Sequence, residues 1–174
     1  MNSTKKLAVS AMLAALGTAL LAVGAFVEVA DLSACALASV TVMLVYIELG
    51  SPYTWLVWIT TSLTSALLFP GSLVWIEYLT VFGIWPIAKG YLEKLPKLFW
   101  IPIKLAYINI VVAILFFFSE LVLGVPFFEE GHVIMKVGIV ILINICFLAF
   151  DKLVEVLSRL YFLKYRDRFK RFFQ

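Results

Sequence analysis

Charged side chains are scarce in this chain. They make up 14% of its 174 residues, while apolar residues make up 64%, against about 25% and about 45–50% in ordinary soluble domains. A soluble protein of this size exposes so much surface that it could not cover it with so few polar groups. The composition therefore excludes an ordinary soluble domain and indicates that lipid is the solvent for most of the chain.

Cysteine and histidine are also rare. Cys35 and Cys146 lie inside apolar runs without a CxxC spacing, so we interpret them as small packing residues. The single histidine, His132, stands in the acidic segment EEGH, which we interpret as a solvated loop. No HExxH, GxSxG or GxxxxGK[ST] motif occurs. The sequence predicts a protein that is not an enzyme and that uses no metal or cofactor.

Long apolar runs divide the chain into segments that could each cross a membrane. A transmembrane helix needs about 20 mainly apolar residues, and the turn signals GSP at 50–52 and PG at 70–71 separate neighbouring runs. The runs are continuous, which favours helices over the alternating pattern of a membrane β-barrel. We predict an all-α integral membrane protein whose domain, residues 1–151, precedes a basic and aromatic tail, residues 152–174. The domain is a six-transmembrane-helix bundle with spans at 7–27, 32–47, 53–69, 72–88, 98–123 and 133–151.

Basic residues are distributed unevenly along this topology. With the N-terminus inside, 13 of the 14 lysines and arginines fall in cytoplasmic segments, and only Lys136 falls toward the outside. The outer loops carry acidic residues instead, at Glu28, Asp31, Glu129 and Glu130. The positive-inside rule therefore predicts both termini in the cytoplasm, in a multi-pass protein of the cytoplasmic membrane.

The basic tail is expected to lie on the membrane surface. Its lysines and arginines alternate with phenylalanines, and each basic residue near anionic lipid contributes about 1 kcal/mol. Docking of a protein partner is the alternative, and nucleic-acid binding is not predicted because nothing else in the chain supports it.

Ionisable residues inside predicted spans are candidates for function because they are expensive to place in lipid. Glu77 lies about six residues, or roughly 9 Å, into the fourth span, and Trp75 and Tyr78 flank it. Glu120 and Lys136 lie near the outer ends of spans five and six. An acid, an acid and a base in the outer half of three spans fit a binding pocket that opens to the outside. Snorkelling, or a structural Glu77–Lys136 ion pair, is the alternative.

Other polar residues in the spans are uncharged or near a membrane surface. Asn109 and Asn144 lie deeper, and we include Asn144 among the substrate-binding candidates. Lys104, near the cytoplasmic end of span five, is predicted to snorkel. The hydroxyls of TTSLTS at 60–65 are expected to bond to their own backbone, with pocket lining or helix contact as the alternatives.

A stripe of alanines follows one face of the first span. Ala8, Ala11, Ala15, Ala19 and Ala22 are spaced 3, 4, 4 and 3 residues apart, so they share a face of a helix. Small residues let membrane helices approach closely, either inside this bundle or against a partner. A signal peptide is the less favoured interpretation, because its apolar core has about 7–15 residues and this run is charge-free for 21 residues.

The length, the six spans, the inner termini and the lysine-led first helix with its AxxxA stripe together resemble a known family. It is the substrate-binding S component of energy-coupling factor (ECF) transporters. The resemblance implies that Ala11, Ala15 and Ala19 dock on a transmembrane T subunit driven by two cytoplasmic ATPases. It also implies a pocket for a vitamin or related micronutrient near the outer surface. Residues in the implied region are Glu77, Glu120, Lys136, Trp75, Tyr78 and the loop at 28–31.

A second function class uses the same features. A non-transporting membrane scaffold, similar to the membrane subunits of envelope or cell-shape machinery, would hold protein partners through the alanine stripe and the basic tail. It would bind no solute.

Overall fold

The computed structural model describes residues 3–123 and 133–166, and all regular structure within these residues is helical. Six helices have eight residues or more, and a seventh has four. Their bounds are α1 Ser3–Phe26, α2 Asp31–Glu48, α3 Ser51–Leu68, α4 Val74–Glu77, α5 Trp85–Leu92, α6 Trp100–Leu123 and α7 Val133–Leu160. The predicted all-α class is confirmed for the described residues.

Four helical stretches are long and apolar enough to cross a membrane. They correspond to predicted spans one, two, five and six, so the protein is a helical, multi-pass membrane protein in contact with lipid. The helix of predicted span three, α3, is not among the four. It has the same length as α2, but seven of its residues are serine or threonine, which lowers its mean hydropathy. The count of six spans and the side of the termini stay predictions. The four stretches are Ser3–Phe26, Asp31–Glu48, Lys97–Leu115 and Val137–Lys164.

The predicted fourth span, residues 72–88, is not one continuous helix. α4 ends at Glu77, a π-helical turn follows over Tyr78–Phe82, and the chain returns to an α-helix only in α5. Pro86 accounts for the interruption, because proline has no N–H to donate and its ring clashes with the carbonyl four residues earlier. Near the start of α5 that N–H is not needed. The Gly83 N–H closes the π turn with a 2.7 Å bond to the Tyr78 carbonyl.

The last helix is longer than the predicted sixth span. α7 continues without a break past residue 151 to Leu160, and a π-helical turn over Tyr161–Tyr165 extends it. No proline or glycine occurs after Gly138, so nothing in the backbone chemistry ends the helix where the charged residues begin. The described part of the predicted tail is therefore helical; residues 167–174 lie outside the described structure.

The chain divides into two compact units. Unit 1 contains the residues up to Leu92 and those from Val154 onward, and unit 2 contains Glu93–Leu153. The core of unit 1 is largely apolar, and α2 contributes four of its ten buried residues. The ten are Ala14, Leu21, Cys35, Ala38, Val42, Val45, Val57, Val74, Tyr78 and Ile87.

In unit 1, α1 packs closely against α2 and α3 through small residues. A Cβ atom added at Gly24 would lie 2.8 Å from the Cβ atom of Ala34, so only glycine permits this approach. At Gly17 an added Cβ atom would meet the side chains of Thr41 and Thr61 at 3.2 Å. Close backbone approach of this kind is a main source of helix association in lipid. The buried positions of α1 are Ser10, Ala14, Gly17, Leu21 and Gly24.

Candidate functional site

Four buried polar atoms in the α3–α4 region of unit 1 have no hydrogen-bond partner in the described structure. They are Trp75 Nε1, Glu77 Oε2, Tyr78 Oη and, on α3, Ser65 Oγ. An unpaired polar atom in the interior costs about 1–3 kcal/mol, and native proteins keep few of them. Trp75, Glu77 and Tyr78 are three of the predicted substrate-binding residues, and they lie within four positions of one another in the sequence. Each has a polar atom that makes no hydrogen bond to the described protein.

Local backbone chemistry positions these side chains. After the turn at 70–71, Ser72 Oγ accepts a 3.2 Å hydrogen bond from the Val74 N–H, at the start of α4. Trp58 Nε1 of α3 donates to the Leu79 carbonyl at 3.3 Å, which ties the π-helical turn to α3. Such turns inside helices often mark functional sites.

Tyr78 lies fully buried where α1, α2 and α3 meet. The hydroxyls of Thr41 and Thr61 lie beside the phenolic oxygen of Tyr78. Each of these threonines donates its own hydrogen bond to a backbone carbonyl. Thr41 Oγ1 donates to the Ala38 carbonyl at 2.7 Å, and Thr61 Oγ1 donates across to the Ala14 carbonyl of α1 at 3.4 Å. Both threonine oxygens keep lone pairs that can accept a hydrogen bond, although the Tyr78 hydroxyl makes no well-aligned bond to either of them.

Glu77 has a second acidic residue in its neighbourhood. Asp31, at the start of α2, lies within electrostatic range of Glu77, and Cys35, one turn further along α2, lies near both. Cys35 Sγ donates to the Val74 carbonyl at 3.5 Å, which joins α2 to α4. Among the described residues no lysine or arginine forms an ion pair with Glu77 or Asp31. The site is therefore acidic, with no basic side chain paired to it among the described residues.

The hydroxyls of the segment 60–65 use both bonding modes that the sequence suggests. Ser62 Oγ donates to the Trp58 carbonyl at 2.8 Å, and Thr64 Oγ1 to the Thr60 carbonyl at 2.7 Å. Thr61 instead reaches α1, as described above. Ser65 differs from all of these because its buried hydroxyl has no partner in the described structure.

The alanine stripe lies on the outside of unit 1. Ala11, Ala15 and Ala19 are exposed, whereas the neighbouring face of α1 is buried against α2 and α3. Together with Thr60 and Thr64 of α3, the stripe lines an open groove of about 450 Å³. Within unit 1 the stripe is therefore available to another helix or to lipid.

In unit 2 an ion pair joins α6 and α7. Lys104 Nζ lies 2.5 Å from Asp151 Oδ2, and the two side chains are 11% and 3% exposed. The prediction that Lys104 snorkels is wrong, because a buried counter-ion lies opposite it and removes the need to reach water. The Trp100 ring adds a cation–π contact, with its centroid 5.7 Å from the ammonium. The sequence offered one signal, an aspartate at the last position of predicted span six.

Asn144 forms a helix–helix contact. Its amide exchanges two 3.1 Å hydrogen bonds with the amide of Asn109 on α6. The remaining amide hydrogens also have acceptors one turn earlier, the Leu105 carbonyl at 2.7 Å and the Val140 carbonyl at 2.8 Å. All the N–H groups of the pair are used, and a role of Asn144 in substrate binding stays a prediction.

The remaining predicted residues have no described side chains. Glu120 lies in α6 and Lys136 in α7, but both side chains are outside the described structure, as is the whole segment 124–132 with His132. Their assignment to a pocket stays a prediction. Within the described residues no three histidine, cysteine, aspartate or glutamate side chains come together as a metal site.

No protein-family model, curated protein or solved structure matches this chain. What the protein does must therefore be inferred from its own residues.

Proposed function

We propose that the protein is the solute-binding membrane subunit of a transporter, similar to the S components of ECF transporters. It has six spans with both termini in the cytoplasm. It takes a small solute of the vitamin or micronutrient class from the outer side of the cytoplasmic membrane. It passes the solute inward together with a T subunit, which two cytoplasmic ATPases drive.

The observation that carries this proposal is the set of unpaired polar atoms beside Glu77. Ionisable side chains at membrane depth are costly and normally pair with each other or face a functional cavity. In unit 2, Lys104 and Asp151 follow this rule. The departure at Trp75, Glu77 and Tyr78 supports a site whose partner is a bound solute.

The groove along Ala11, Ala15 and Ala19 supports the proposed docking of a T subunit. It is open, it is lined by small side chains of α1 and by threonines of α3, and it admits close approach of another helix. The same groove also favours the alternative, a non-transporting scaffold of envelope or cell-shape machinery. The two functions differ in whether the Glu77 site binds a solute.

The test is to purify the full chain in detergent, denature it and identify small molecules that were bound. The variants are Glu77→Gln and, as the matched control, Glu93→Gln at an exposed position. We expect one solute in near-stoichiometric amount with the wild type and the control, and its loss from Glu77→Gln. If no solute accompanies the wild type and none from a broad metabolite panel raises its melting temperature, the transporter proposal fails and the scaffold is favoured.

The partner is tested separately by co-purification of a co-expressed T subunit. Ala15→Leu fills the groove, and Ala106→Leu makes the same change at an exposed position of α6. We expect the T subunit to be lost from the first variant and retained by the second. Equal retention by both variants would exclude the groove as the docking surface.

A further inference from the structure

We infer that the site beside Glu77 takes a small organic cation that also carries a hydrogen-bond acceptor. This inference rests on the proposed function, because it specifies the chemical class of the solute. It follows from the charges of unit 1, from the unused donor of Trp75 and from the aromatic residues next to Glu77 in the sequence.

Positive charge is absent from a long stretch of the chain. Residues 7–88 contain no lysine, arginine or histidine, but they contain four acidic residues, Glu28, Asp31, Glu48 and Glu77. Glu48 is compensated at the C-terminal end of α2. Tyr161 donates to its carboxylate at 3.1 Å, and Arg166 Nε lies 3.8 Å away. Asp31 and Glu77 have no such cation among the described residues.

An uncompensated acid in the interior is stabilised by taking up a proton or by meeting a positive charge. Burying a carboxylate without a partner is far more expensive than burying a neutral polar group, and a nearby second acid raises that cost by repulsion. A bound cation supplies the counter-charge to both Glu77 and Asp31. An anionic solute would instead bring a further negative charge into a region that already holds two.

The unused donors define the rest of the solute. Trp75 Nε1–H is a buried donor without an acceptor in the described structure, and indole nitrogen can only donate. The Tyr78 hydroxyl, beside Thr41 and Thr61, makes no well-aligned hydrogen bond. Tyr78 and Ser65 are 0% and 1% exposed, so surface water does not satisfy them. A hydroxyl, ether, carbonyl or ring nitrogen on the solute would accept from these groups.

Aromatic rings favour an organic cation over a simple inorganic one. Trp75 and Tyr78 flank the Glu77 carboxylate in sequence, and the indole of Trp58 is fixed on the adjacent turn. Aromatic faces attract alkylammonium and related cations, and the attraction grows when the cation is desolvated. A carboxylate with aromatic neighbours is a combination that recognises an amine or a quaternised nitrogen.

The experiment compares cations with neutral molecules of the same shape. The full chain in detergent is tested by thermal shift with choline, benzylammonium and N-methylpyridinium. Their neutral counterparts are 3,3-dimethylbutan-1-ol, benzyl alcohol and toluene; benzoate, nicotinate and sodium ion complete the panel. The formal charge of the co-purified solute is determined by mass spectrometry. We expect a cationic co-purified solute and a melting-temperature increase with at least one organic cation but not with its neutral counterpart.

Two variants locate the effect. Glu77→Gln keeps the shape but removes the charge, and we expect it to weaken cation affinity about 10- to 100-fold, as for the loss of a hydrogen bond to a charged group. Trp75→Phe keeps a ring but removes the N–H donor, so it is expected to weaken affinity less. Glu93→Gln, at an exposed position, is expected to leave affinity unchanged.

The outcomes separate the inference from the proposed function. If the co-purified solute is neutral or anionic, or if only neutral or anionic members of the panel bind, the cation inference is overturned and the transporter proposal stands. Equal cation binding by Glu77→Gln and Glu93→Gln overturns the assignment to this site. If no solute accompanies the protein and no member of the panel binds, both are overturned.

Discussion

Lys104 Nζ and Asp151 Oδ2 lie 2.5 Å apart between α6 and α7, in the interior of unit 2. Further along α6 and further back along α7, the amides of Asn109 and Asn144 exchange two hydrogen bonds. The rings of Tyr107 and Phe147, which lie between these pairs in sequence, have their centroids 5.9 Å apart. The three contacts share one antiparallel register, so polar pairs fix how the two helices align.

Breaking the ion pair on one side is expected to destabilise unit 2 strongly. Asp151→Asn leaves the Lys104 ammonium buried without a counter-ion, and losing one partner of a buried pair costs about 3–5 kcal/mol. The free energy of unfolding in detergent, measured by titration with a denaturing detergent, reports this loss. Lys97→Gln, at an exposed position, serves as the control and is expected to change it by less than about 0.5 kcal/mol.

The double variant Lys104→Met with Asp151→Leu is expected to recover most of that stability, because apolar residues can replace a buried ion pair at little cost. If Asp151→Asn proves as stable as the wild type, the pair does not hold the helices and the assigned register is contradicted.

The two asparagines are expected to be energetically coupled. A double-mutant cycle with Asn109→Ala and Asn144→Ala should give an interaction energy of about 0.6 kcal/mol, with about 1.7 kcal/mol as the upper end for hydrogen bonds between membrane helices. Asn109→Ala combined with a change at exposed Ile141 serves as the additive control. A coupling of zero for the asparagine pair would mean that both amides find equally good partners when separated.

The sequence predicts the helices well and their partners poorly. Apolar runs and turn signals place four of the predicted spans on helices long enough to cross a membrane, because length and hydropathy are local properties. The contact of Lys104 with Asp151 joins residues 47 positions apart, and no local pattern contains it. Likewise, Pro86 is visible in the sequence, but the bond that ties the π-helical turn before it to α3 joins Trp58 and Leu79, which are 21 positions apart.

The first helix shows the same limit on a smaller scale. The alanine spacing correctly predicts a stripe of small residues, but a second stripe of small residues runs beside it. That second stripe, which is small except for Leu21 and includes Gly17 and Gly24, is the one buried in unit 1. Gly24 distinguishes it, because a Cβ atom added there would lie 2.8 Å from the Cβ atom of Ala34.

Gly24, one of the two buried glycines of this stripe, allows a test of stability. Gly24→Ala is expected to destabilise the protein, because the added methyl would lie 2.8 Å from the Cβ atom of Ala34 and the helices would have to separate. Overpacking of this kind costs about 1–3 kcal/mol. The matched change Gly138→Ala meets nothing within 4 Å and is expected to leave the melting temperature unchanged or higher, since alanine favours helix. The opposite order of the two variants would contradict the packing of α1 on α2.

Adjacent alanines on α1 separate the two stripes most directly. Ala14 is 4% exposed and faces the neighbouring helices, so Ala14→Leu is expected to lower the free energy of unfolding by about 1–3 kcal/mol. Ala15 is exposed in the groove, so Ala15→Leu is expected to leave the isolated protein within about 0.5 kcal/mol of the wild type. The same chemical change one residue apart thus tests stability at one position and docking at the other. A large loss of stability in Ala15→Leu would show that the alanine stripe packs inside this protein, and the groove could then not serve a partner.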